Sequence, residues 1–90
     1  MPEGYDLAWT PTAKRDLAKL PEKVATAAVE FVYGGLSVNP QRVGHGLQRE
    51  LAGMHSARRG DFRVLYRVDE PQRLVTIMAI DHRADVYRRR

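Results

Sequence analysis

Arg58 and Arg63 flank the segment Arg59-Gly60-Asp61-Phe62. Gly60-Asp61 between alternating apolar positions signals a two-residue hairpin loop. Such a loop sets Arg59 opposite Phe62, Arg58 opposite Arg63, and Ala57 opposite Val64. Two guanidinium groups directly across a strand pair repel each other, at a cost of up to about 1 kcal/mol. Folding gains nothing from that arrangement, so an anionic ligand is the simplest reason to keep it; guanidinium forks suit phosphate bidentately. A slip of one residue would take Arg58 off the face of Arg63, but would also turn Ala57 or Val64 out of the core. Arg67, four residues beyond Arg63, adds to the same positive field. His82 follows the apolar run 74–80, and unbroken alternation carries it onto the arginine face. An imidazole on that face could accept a proton. Tyr87, five residues on, brings a phenol within reach if the chain turns helical after Asp81.

This set holds no carboxylate pair for glycoside hydrolysis, no ligands for two-metal phosphodiester chemistry and no Ser-His-Asp arrangement. It suits metal-free cleavage of RNA, in which the 2′-hydroxyl attacks its own phosphate. That step needs a base for the hydroxyl, cationic donors for the phosphorane oxygens and an acid for the leaving 5′-oxygen.

The elements that must position these groups are legible in the periodicity. Tyr5–Trp9 alternates as a short strand. Thr10-Pro11 opens a helix that ends near Leu20. A second helix restarts at Pro21 with Val24, Ala28, Phe31 and Val32 on one stripe, is weakened by Gly34-Gly35 and is ended by Asn39-Pro40. From Met54 the period changes to two, giving strands over 55–59, 62–68 and 73–80, with turns at Gly60-Asp61 and Asp69–Gln72. The expected fold is α+β, ordered β-α-α-β-β-β, with an antiparallel meander packed on an α-hairpin in two layers. Val68 faces Arg73, Tyr66 faces Val75 and Val64 faces Ile77 in this register. Ala57, Phe62, Val64, Tyr66, Val68, Val75, Ile77 and Ala79 then face the helices. Arg58, Arg63, Leu65, Arg67, Leu74, Thr76, Met78 and Ile80 share the other face with His82.

Composition agrees with this division. The 90 residues carry a net charge of +4 and are 43 % hydrophobic, which predicts one folded domain over 1–90. Residues 1–40 hold four Lys/Arg and five Asp/Glu, whereas residues 41–90 hold eleven arginines and six acids. The positive excess therefore belongs to the half that carries the hairpin. No signal-peptide pattern opens the chain and no apolar run is long enough to span a membrane. The absence of cysteine excludes a disulfide framework and fits a reducing cytoplasm. Three separated histidines and no cysteine do not make a zinc cage, so neither metal nor cofactor is expected.

Leu51-Ala52-Gly53, Arg58-Arg59-Gly60-Asp61-Phe62-Arg63-Val64-Leu65-Tyr66 and Asp81-His82-Arg83-Ala84-Asp85-Val86-Tyr87 resemble the RelE/ParE superfamily of bacterial toxins. The Thr10-Pro11 helix start and the Asn39-Pro40 turn match as well, so the likeness covers almost the whole chain. It implies a RelE-type mRNA interferase: the toxin of a type II toxin–antitoxin pair, cutting mRNA on the ribosome. Arg58 and Arg63 would bind the scissile phosphate, His82 and Arg83 occupy the C-terminal motif, and Tyr87 matches an aromatic that orients or stacks on the substrate base. Some relatives carry a general-base Glu where this chain has His45, and others carry Lys where it has Ser56 and Met54. The base thus stays open between His82, His45 and Tyr87, with Arg49 and His55 as further RNA contacts. The implied partners are the ribosome, mRNA and a cognate antitoxin, in a hetero-oligomer that binds operator DNA through the antitoxin; no membrane is involved. The alternative is a ParE-like toxin that inhibits DNA gyrase and cuts nothing.

Overall fold

A computed structural model describes residues 4–47 and 53–82. The chain runs β1 (Asp6–Trp9), α1 (Pro11–Lys19), α2 (Glu22–Phe31), a π-type turn over Val32–Leu36, α3 (Pro40–Val43), β2 (His45–Gly46), β3 (Met54–Arg59), β4 (Phe62–Asp69) and β5 (Leu74–His82). The five strands form one sheet in the order β1-β5-β4-β3-β2. β1 lies parallel to β5, and the other pairs are antiparallel. The α+β architecture is the expected one. α3 and the two-residue strand β2 are additions that no periodicity announced, because four and two residues are too few to show one.

Thr10 starts α1 as anticipated. Its Oγ1 accepts the N–H of Ala13 at 3.0 Å, with Pro11 in the first turn, and donates to the Met78 carbonyl at 3.0 Å. One hydroxyl therefore caps the helix and ties it to β5. Thr10→Ala should cost about 1–2 kcal/mol, which a thermal melt would register as a fall of roughly 4–8 °C per kcal/mol in a domain of this size. The weakness at Gly34-Gly35 is also real: Gly34 takes φ −100° and ψ −107°, which breaks regular helix geometry.

The core forms where the helices cover the sheet. Ala13, Leu20, Ala28, Phe31, Val32 and Leu36 pack from the helical layer onto Ala57, Phe62, Val64, Tyr66, Val75, Ile77 and Ile80. Among the described residues no helix is long and apolar enough to cross a membrane.

The β4–β5 hairpin departs from expectation in two ways. Its loop is Glu70–Arg73, with Asp69 opposite Leu74, and Arg73 closes it at φ +52°. That moves the pairing by two residues and leaves the faces unchanged. Further along, Tyr66 pairs with Ile77 while Leu65 pairs with Ala79, so Met78 is an extra residue in the strand. This bulge reverses the alternation. Ile80 and His82 turn toward the helices, and Ala79 and Asp81 take the opposite face. The cause lies outside the strand. β1 stops pairing at Trp9–Ile77, and α1 takes over the same edge of β5. Thr10 binds the Met78 carbonyl, and the Asp16 carboxylate accepts the N–H of Ile80 at 3.0 Å.

Candidate functional site

The β3–β4 hairpin has the anticipated register. Arg59 pairs with Phe62, Arg58 with Arg63 and Ala57 with Val64. Gly60 carries the loop at φ +58°, the left-handed conformation that a type II′ turn requires at its first central position. Arg58 and Arg63 are both exposed and directly opposed on the face away from the helices. Arg59 faces the other way, its guanidinium 5.1 Å from the centroid of the Phe31 ring.

Three cross-strand rows carry the basic side chains of the face away from the helices. The first is Arg58–Arg63–Asp81, because Asp81 pairs with Arg63. The second is His45–Ser56–Leu65–Ala79. The third is Met54–Arg67–Thr76, in which Arg67 Nη2 reaches the Met54 sulfur at 3.2 Å. Strand spacing of about 4.8 Å and a two-residue step of about 6.7 Å put the His45 and Arg58 Cα atoms roughly 8 Å apart. Their side chains can therefore meet on one phosphodiester. His45, Arg58, Arg63 and Arg67 are all exposed.

Two histidines do not join this face. His82 pairs with Phe62 on the helical side and is 9 % exposed; the Met78 bulge is what turns it away from Arg58 and Arg63. His55 pairs with Tyr66, also on the helical side, and its ring stacks on the Tyr66 ring at 5.4 Å between centroids. It is therefore turned away from a ligand held by the arginines. Arg49, Arg83 and Tyr87 lie outside the described residues. Asp81 is the residue that alternation missed. Without the bulge it would have faced the core, and only the contacts of α1 with β5 reveal its place beside Arg63.

The family described as the ParE toxin of the type II toxin–antitoxin system parDE matches residues 7–87. The chain belongs to this family. It is 55 % identical over 85 residues to Toxin RelG of Mycobacterium tuberculosis (strain ATCC 25618 / H37Rv), across 94 % of this chain and 98 % of that protein. It is 52 % identical over 84 residues to Toxin RelE of the same strain, across 93 % of this chain and 87 % of that one. A chain in the crystal structure of the toxin–antitoxin complex RelBE2 from M. tuberculosis superposes with a TM-score of 0.86 at 52 % identity, covering 89 % of this chain and 99 % of that one. The RelE/ParE resemblance carried by the hairpin and C-terminal motifs therefore holds, as does the fold class that it implied.

Proposed function

We propose that this chain is a RelE-type toxin: a ribosome-dependent endoribonuclease that cleaves mRNA and is neutralised by a cognate antitoxin in the cytoplasm. The observation that carries the reading is the pairing of Arg58 with Arg63 on an exposed sheet face that also holds His45. In this mechanism His45 accepts the proton of the 2′-hydroxyl. The oxygen then attacks the adjacent phosphorus, and the P–O5′ bond breaks as solvent water gives a proton to the leaving oxygen, so that a 2′,3′-cyclic phosphate and a 5′-hydroxyl remain. Arg58 and Arg63 hold the phosphate oxygens and stabilise the charge that builds on the phosphorane. Arg67 extends the cationic track along the RNA backbone. Arg83 and Tyr87 of the C-terminal motif complete the proposed site, whereas His82 has a packing role beside Phe62. The relatives named RelG and RelE support this branch, and the relative solved as RelBE2 supports an antitoxin partner.

The match to a family described by its ParE toxin favours one other reading, inhibition of DNA gyrase by binding alone. Two assays separate them. Primer extension on translating ribosomes should find new mRNA 5′ ends when the chain is added, and gyrase supercoiling should be unaffected. Inhibited supercoiling with intact mRNA would overturn the nuclease reading.

A further inference from the structure

β2 is only two residues long, and an edge strand of that length frays easily on backbone pairing alone. The segment that leads into it is nevertheless fastened by side chains from three distant elements. Tyr66 Oη donates to the Pro40 carbonyl at 2.6 Å. Gln41 Nε2 donates to Glu70 Oε2 at 2.5 Å, while Tyr5 Oη donates to Glu70 Oε1 at 2.8 Å. With its amide nitrogen on Glu70, Gln41 presents Oε1 to His55 Nε2 at 3.2 Å, so that ring nitrogen is the donor. The two hydrogen bonds from Tyr5 and Gln41 hold the Glu70 carboxyl below the usual carboxylate range.

His55 Nδ1 is left buried without a hydrogen-bond partner among the described residues. A buried orphan of this kind persists where the surroundings over-determine the ring. Stacking on Tyr66 and the Gln41 contact do so here. Gly44 completes the fastening. A Cβ there would lie 2.5 Å from Tyr66 Oη and 2.6 Å from the Ser56 carbonyl, so only glycine lets the chain lie this close to β3 and β4. The next residue is His45.

We infer that Gln41, His55 and Glu70 are positioning residues for the proposed site: they clamp the α3–β2 segment so that His45 stays opposite Ser56, within reach of the phosphate held by Arg58 and Arg63. The inference rests on the assignment of His45 as the general base. Gln41 and Glu70 are exposed, and exposed side-chain hydrogen bonds add little to global stability. What they fix is geometry, and a displacement of the base by about 1 Å is enough to slow a positioned proton transfer by up to two orders of magnitude.

The test uses the full chain on mRNA-programmed ribosomes, with affinity, melting temperature and amide exchange measured alongside the rate. Glu70→Ala and Gln41→Ala should each lower the single-turnover cleavage rate about tenfold or more. Ribosome affinity should stay within about twofold, and the melting temperature should barely move. Amide protection should fall in β2 while that of β4 and β5 is retained. Glu70→Gln keeps an acceptor for Gln41 and can turn its amide to Tyr5, so it should restore most of the rate. In a His45→Ala background, Glu70→Ala should cause little further loss, because both changes remove the same step. An unchanged rate in Glu70→Ala, or a full additional loss in the His45→Ala background, overturns the clamp while leaving His45 as base. An unchanged rate in His45→Ala overturns that assignment and the clamp with it.

Discussion

Arg63→Ala should abolish growth arrest on induction and lower the rate of mRNA cleavage by about 10²–10³, the loss typical when one preorganised donor is removed from a developing oxyanion. The fold should survive the change. Arg63 is exposed, and its direct neighbour on β3 is another arginine. Removing one of two opposed like charges relieves repulsion of up to about 1 kcal/mol, and losing the opposite charge across from Asp81 on β5 offsets it, so the melting temperature should change little. Binding of single-stranded RNA should also lose salt dependence, its slope in log K against log salt falling by about 0.7 for the phosphate contact removed. Arg58→Ala should behave alike, and the double variant should lose less than the product of the two, because both groups act on one phosphate. A variant that folds, binds antitoxin and still arrests growth would move the phosphate site off this hairpin.

This prediction could be framed from the sequence because the relevant signals are local. Gly60-Asp61 specifies a tight turn, a tight turn fixes register, and register alone brings Arg58 and Arg63 together. β5 offered no such anchor. Residues 74–80 are apolar on both faces apart from Thr76, so alternation carries no information about where an extra residue sits. The bulge at Met78 is imposed by Thr10 and Asp16, more than sixty residues away along the chain. His82 and Asp81 exchange faces as a result. The β4–β5 loop is hidden from local reading for a related reason: its last residue, Arg73, takes a positive φ that its type does not advertise. It is held there with its guanidinium 4.1 Å from the Tyr5 ring centroid. β2 has no pattern at all, and its position depends on Tyr66, Gly44 and Ser56 meeting in three dimensions. His45 entered the site through its place in the family motif, and its neighbours on the sheet then gave that place a physical meaning.

Tyr66→Ala should have the largest effect on stability of any single change considered. The side chain is fully buried in β4 between the sheet and the helical layer, and it is the largest of the fully buried residues among those described. Its loss removes core contacts, the stacking partner of His55 and the donor to Pro40. Truncations of this kind cost about 3–5 kcal/mol, a large share of the roughly 5–15 kcal/mol available to a small domain. A melting temperature lower by at least about 12 °C is the expected result. Tyr66→Phe isolates the hydroxyl and should cost about 1–3 kcal/mol by leaving the buried Pro40 carbonyl unpartnered. Burial pushes the Tyr66 phenol up to about 12, from the ordinary value of 10.0. A raised folded-state value means that the native chain holds this proton more tightly than the unfolded one. The corresponding stability is complete below pH 10 and is lost as pH rises from about 10 to about 12. Tyr66→Phe has no such proton to lose, so its unfolding free energy, lower at neutral pH, should decline less across that interval. Denaturant titrations at pH 9, 10 and 11 read the difference. Parallel decline in the two proteins would place the alkaline sensitivity elsewhere, with Tyr5 the next candidate, because its hydrogen bond to Glu70 also raises its phenol.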